Sequence, residues 1–377
     1  MGDDPGTSTV GASGTSADWT LVLGLGLRAG GLALVTTVAR QHAALLAEHG
    51  VAVLPPVRAD RLDVTLERAP AAGQPQVWAS AGPLLPAARA TIATLVDEAA
   101  ARGGRVRALV LLASVRAVVE DLVVDSLRAG RTSARVAATA HAINYLPAVA
   151  RWQDALGPDA VSLVVAGDDP AAAVAGWWEA VAGGPAPASA ATVPDPRPGP
   201  LTPAYAEAVR RANLVLGALP TADADRGVLV RRAARLSAAD PAPPGVAGVP
   251  STVTALTAAM SSEADTVLAA VPPADRAGLF EAPNLVPVPT LDDTRQAWRR
   301  LRRPERLAAV LPEDPASIED PEQQLRAAFA AVATGPDAAA AEAAATVQAF
   351  ILADPHTRLV GSELPTPVIP PICYQYW

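Results

Sequence analysis

Apolar positions fall along this chain in two rhythms. Short continuous runs, at Thr20–Leu25, Val51–Leu54, Arg107–Ala113 and Val161–Ala166, have the length and uniformity of strands buried on both faces of a parallel sheet. Between them lie stretches with helical spacing. Leu32–His49 predicts one long helix. Leu84–Arg102 carries Leu85, Ala88, Ile92, Leu95 and Ala99 on one stripe and stops at Gly103-Gly104. Val115–Ala129 ends at a capping Gly130, and Ala137–Leu156 carries Tyr145 and Trp152 seven residues apart, as core anchors. Strand alternating with helix predicts an α/β fold with right-handed crossovers.

Past a proline-rich stretch at residues 183–200, the pattern turns helical: Leu201–Leu219, Arg226–Leu236, Thr252–Val271, Arg295–Leu301, Pro321–Ala333 and Ala338–Leu352. Asp240–Pro250 is a second proline-rich break, and Leu279–Pro289 is irregular and apolar. The polar Gly/Ser/Thr lead-in over residues 1–18 predicts disorder. The expected organisation is that lead-in, an α/β domain over 19–290, a helical extension over 291–355 and a proline-rich tail over 356–377.

Composition narrows the classes. Half of the 377 residues are hydrophobic but only 4% aromatic, so the core is built from Ala, Val and Leu. All 30 cationic residues are arginine; with 37 prolines this points to a GC-rich, actinobacterial source. A formal charge of −8 argues against nucleic acid as a partner. No apolar run is long enough to span a bilayer, and the acidic start has no signal-peptide character, so a cytoplasmic protein without a membrane partner is expected. One cysteine, Cys373, and four scattered histidines (His42, His49, His141, His356) supply neither a disulfide framework nor metal-ligand spacing. Trp177-Trp178 predicts one buried ring and one ring free to line a pocket. Arg299, Arg300, Arg302 and Arg303 form a charge cluster, either a solvated helix end or a contact for an acidic partner.

The candidate chemistry sits at Leu21–Pro56, where a strand runs through a glycine-rich turn into a helix. That is the layout of a phosphate-binding loop, in which helix N-terminal amides and a lysine hold an anion. Arg28 stands near the lysine's place, beside the backbone of Ala29, Gly30 and Gly31, while Gly31 and Leu32 replace the hydroxyl residues. Four segments in order make the chain resemble the bacterial sulfotransferase-like P-loop proteins: LGLGLRAGGLAL with HGVAVLPP; VLLASVRAVVEDLVVDSLRAGRT; INYLPAVARWQDALGPDAVSLVV; and LTPAYAEAVRRANLVLGALP with EADTVLAAVPPADRAGLFEAPNL. The resemblance implies a parallel sheet flanked by helices, with a helical C-terminal part. It also implies sulfuryl transfer from the nucleotide PAPS, with a serine–arginine pair on the 3′-phosphate. Aligned on Gly130-Arg131-Thr132, the expected arginine falls at Ser114 and the expected serine at Asp121. Arg116 and Ser126 are the shifted candidates. These substitutions imply a degraded site, with no cofactor held and no confident catalytic residue; retained activity would make PAPS or PAP the ligand.

The chain ends PTPVIPPICYQYW, and Cys373, Tyr374, Tyr376 and Trp377 crowd its last five residues. Three readings follow. One is a non-catalytic recognition scaffold presenting this tail to a protein partner. Another is the precursor of a ribosomally made peptide whose tail a modifying enzyme cross-links. The last is a PAPS-dependent sulfotransferase acting on a hydroxyl or amine.

Overall fold

The computed structural model describes residues 19–26, 31–57, 61–130, 145–167, 169–196, 199–217, 222–240, 246–247, 257, 260, 264–280, 285–286 and 289–320. In chain order the elements begin with β1 (Trp19–Gly26), α1 (Leu32–Gln41), α2 (Ala43–Glu48), β2 (Val51–Val53), α3 (Leu62–Ala71), β3 (Gln76–Ser80), α4 (Arg89–Ala101) and β4 (Gly104–Ala113). Next come α5 (Val115–Arg128), α6 (Leu146–Leu156), β5 (Val161–Gly167), α7 (Pro170–Ala182) and α8 (Ala188–Ala191). The remainder is α9 (Pro203–Leu216), α10 (Ala222–Ala238), β6 (Val246–Ala247), α11 (Pro273–Leu279), β7 (Leu285–Val286), α12 (Leu291–Arg302) and α13 (Glu305–Val310).

These elements fall into two units. Among the described residues, the first holds 19–26, 31–112 and 147–194, and the second 113–146 and 195–320. The first unit is α/β. Its five strands form an all-parallel sheet in the order β2-β3-β1-β4-β5. β1 is central and pairs Thr20–Gly24 with Gln76–Ser80 of β3, and Trp19–Gly26 with Gly104–Leu111 of β4. Burial of both faces explains the unbroken apolar runs. Leu21, Leu23 and Leu25 are fully enclosed, and their neighbour Val22 joins Val35, Val38, Leu109 and Leu111 in a core cluster.

Several elements differ from the sequence expectation, each for a local reason. The helix expected over Leu32–His49 breaks at His42, whose φ of −107° and ψ of 22° leave the helical region between α1 and α2. The segment expected from Leu84 is a turn of 3₁₀ helix at Gly82–Leu84, and α4 starts only at Arg89. Helix α7 is new: Asp169 caps it by accepting from the Ala171 amide at 2.9 Å, and Gly183 closes it at φ +72°. Both Trp177 and Trp178 on α7 are buried, so neither ring lines a pocket. They meet each other, and Trp177 meets Trp78 of β3, edge to face at 5.5–5.7 Å. Of the expected Ala137–Leu156 helix, the described part is α6, and its Trp152 is fully buried with Nε1 donating to the Leu85 carbonyl at 3.1 Å.

The second unit is mostly helical. Tyr205, Val209, Leu216, Leu229, Trp298 and Leu301 are among its core, drawn from α9, α10 and α12 and joined by Val124 and Leu127 of α5. Polar side chains join the helix ends. Asn213 Nδ2 donates to the Leu127 carbonyl at 2.7 Å, and Trp298 Nε1 to the Pro312 carbonyl at 3.0 Å. Arg302 donates to the Leu311 and Ala308 carbonyls. Tyr145, also of this unit, is buried and donates its hydroxyl to the Ala113 carbonyl at 3.1 Å. Burial pushes its phenol above the ordinary range, so it stays neutral. Residue 290, the expected end of the α/β domain, lies inside this unit, and the first residues of the expected extension form α12. The irregular segment from Leu279 contributes β7, which pairs in parallel with β6. The helices expected at 321–333 and 338–352, and the lead-in over 1–18, lie outside the described residues.

Candidate functional site

In an open parallel sheet, ligands bind beyond the C-terminal strand ends, where the strand order reverses. Here the chain leaves β1 toward β2 and leaves β4 in the other direction, so that point lies between β1 and β4. The glycine-rich turn follows β1 there.

Three glycines shape what is described of the turn. Gly26 ends β1 at φ +154°, and a Cβ there would sit 2.9 Å from the Leu111 carbonyl oxygen. Gly31 adopts φ +81° as the N-cap of α1 and makes no side-chain cap. Gly82 approaches so closely that a Cβ would meet Leu32 Cδ2 at 2.9 Å. Gly26 and Gly31 therefore hold the first-to-second glycine spacing of a phosphate loop, in which lysine and then a hydroxyl residue follow. The residues that follow are Leu32 and Ala33. Leu32 is 7% exposed and belongs to the core. The nearest hydroxyls face along the helix: Thr36 Oγ1 donates to the Leu32 carbonyl at 2.6 Å and Thr37 Oγ1 to the Ala33 carbonyl at 2.9 Å. Arg28, Ala29 and Gly30 lie outside the described residues.

The expected 3′-phosphate residues lie in the second unit. Ser114 is buried and caps α5, accepting from the Ala117 amide at 3.1 Å. Arg116 and Ser126 both belong to α5. Ten residues of α-helix separate them by roughly 15 Å along the axis and about 80° around it. On one continuous helix the two side chains start from points that far apart. Glu120 and Asp121 stand between them. Burial raises the Glu120 carboxyl above its ordinary range, with the Arg116 charge partly opposing.

Among the described residues, leucine and alanine follow the second glycine of the phosphate-loop spacing, and the arginine and serine of α5 lie ten residues apart on one helix. His42 and His49 approach the edge of Trp178 at 6.1 and 6.4 Å. Among the described residues, no three His, Cys, Asp or Glu side chains gather to hold a metal, and no helix is long and apolar enough to cross a membrane. Cys373, Tyr374, Tyr376 and Trp377 lie outside the described residues.

Two groupings escaped the sequence. Gly82, beyond β3, packs against Leu32 and the Gly26 carbonyl, with nothing nearby in sequence to mark it. On α9, Arg210 is 5% and Arg211 7% exposed, and both reach Asp320, more than a hundred residues away. Arg210 also pairs with Glu207 at 2.7 Å, and Arg211 pairs with it at 2.8 Å. Burial alone would disfavour the Arg210 cation; its bonds to Glu207 and Asp320 outweigh that and hold it above its ordinary value. Comparison with family models, with curated proteins and with solved structures returned no match.

Proposed function

We propose that this chain is a non-catalytic member of the sulfotransferase-like P-loop group, a recognition scaffold that offers its Ile372–Trp377 segment to a protein partner. The observation that carries the first part is the start of α1. The glycines retain the spacing of a phosphate loop, yet Leu32 and Ala33 occupy the cation and hydroxyl positions and Thr36 and Thr37 bond to their own helix. Transfer chemistry needs fixed donors aimed at the charge that develops on the moving group, and those side chains supply none beyond the helix's own amides. The α/β scaffold is maintained while the grip is lost, as expected when a fold is kept for binding. The role of the tail rests on the sequence, where aromatic residues and the lone cysteine follow an extended proline-rich stretch.

Calorimetry with PAP, on the purified chain and on Arg28→Ala, tests this together with intact mass of the C-terminal peptide from the native host. The expected result is no PAP binding and an unmodified tail. Tight PAP binding that Arg28→Ala weakens would overturn the scaffold and restore the transferase. A tail lighter by whole hydrogen pairs would make the chain a peptide precursor instead.

A further inference from the structure

The second unit carries an arginine surface that the phosphate-loop reading does not use. On α10, Val228, Arg231 and Arg235 are exposed at helical spacing, one above another. On α12, Arg299 is exposed, as is Arg303 just past its end. The two helices are joined by Arg232. Its guanidinium donates to the Arg300 carbonyl at 2.8 Å through Nη2, and its Nε lies 3.2 Å from the Leu301 carbonyl. The arginine stripe of α10 thus lies beside the arginine-rich end of α12.

Attraction to a helix C-terminus accounts for arginines in the last turn of α12. It accounts equally for Arg235, in the last turn of α10, but not for Arg231. Among the described residues, Arg231, Arg235 and Arg303 make no hydrogen bond or ion pair. Asp225 is engaged with Arg306 at 2.7 Å, Asp314 with Arg295 at 3.1 Å and Asp240 with Arg300 at 4.0 Å, while Glu305, exposed two residues past Arg303, offsets part of the charge. A positive face remains on a chain whose net charge is −8.

We propose that the exposed faces of α10 and α12 form one docking surface for a carboxylate-rich segment of a partner protein. Guanidinium forks match carboxylates two bonds at a time, and Val228 adds an apolar contact at 39% exposure. Nucleic acid fits less well. The net negative charge opposes a long polyanion, and among the described residues no Phe, Tyr or Trp ring is exposed for bases to stack on. A small phosphate ligand calls for a concave site, whereas these are open helix faces.

The test is fluorescence anisotropy of a labelled octaglutamate peptide with the full chain. It compares wild type, the triple variant R231E/R235E/R303E, and R61E/R68E/R89E, which makes the same charge change on exposed arginines of the first unit. Saturable binding is expected at about 0.05 M salt, lost at about 0.5 M. The triple variant should bind roughly tenfold or more weakly, with the control variant close to wild type. No binding at low salt, or equal weakening in both variants, would overturn the proposal. So would tighter binding of a single-stranded DNA of matched charge. Should the triple variant misfold by circular dichroism, Arg231→Gln decides the point with a smaller fold-change, a wild-type affinity refuting it.

Discussion

At the centre of the first unit, three indole rings meet edge to face, with Trp177 fully enclosed between Trp78 and Trp178. In the second unit, α9 buries two guanidinium groups against Glu207 and Asp320. A sheet places alternate side chains on flat facing layers, which large rings fill. An alanine-rich helical unit has little apolar bulk to spend on distant segments, and it ties them with forked hydrogen bonds. Arg210, Arg211, Arg232 and Arg302 all reach partners outside their own turn of helix. In a chain with no lysine, arginine acts here as a structural residue, and the presence of an arginine alone is weak evidence for a phosphate site.

The contrast is tested most strongly at Trp177. Trp177→Ala should lower stability by about 3–5 kcal/mol, because a ring this enclosed leaves a cavity its rigid neighbours do not fill. Trp177→Phe should cost clearly less, since the Trp177 Nε1 has no hydrogen-bond acceptor among the described residues. Equilibrium urea unfolding measures both, and equal losses would mean that ring packing is not what holds this unit. The next effect is at Asp320. Asp320→Ala should cost about 3 kcal/mol by stranding part of the buried arginine charge, and the double change Arg210→Met with Asp320→Leu should cost less than the single one. A double variant worse than Asp320→Ala would show that the pair contributes net stability beyond its own desolvation.

How much of this was visible in the sequence depended on how local its cause was. β1 and the second half of β4 are legible because burial on both faces writes an uninterrupted apolar run, and β5 because its run is apolar apart from Ser162. β3 is not: Gln76–Ser80 is short, polar at both ends and supported mainly by pairing to β1 and β2. α7 is apolar nearly all round, so it shows no amphipathic stripe, and its signals are Asp169, Pro170 and Gly183. At the candidate site, the glycines at 24, 26, 30 and 31 allowed several registers. The positive φ of Gly31 and the helix start at Leu32 selected one. Arg116 and Ser126 looked like a pair in one dimension, but a continuous helix keeps them apart. The Arg210–Asp320 contact joins residues 110 apart in the chain, and no periodicity encodes it.

The smallest effect expected bears on α5, the helix where the resemblance placed a phosphate. Glu120 is raised by burial, with Arg116 partly opposing. A raised carboxyl means that the folded state holds its proton more tightly than the unfolded chain does. Its contribution to stability is therefore present at low pH and declines as pH rises from the ordinary glutamate range through the raised folded value. Glu120→Gln removes that ionisation. The variant should match or fall below wild type in acid, and gain on it as pH climbs past the folded value, then level off. Urea unfolding across that range measures the difference. A helix that bound phosphate would instead need its positive charge undiluted. If Arg116→Gln left the Glu120-dependent slope unchanged, Arg116 would not be attending to this carboxylate. A steeper slope in Arg116→Gln is the expected result, because the one opposing cation has been removed.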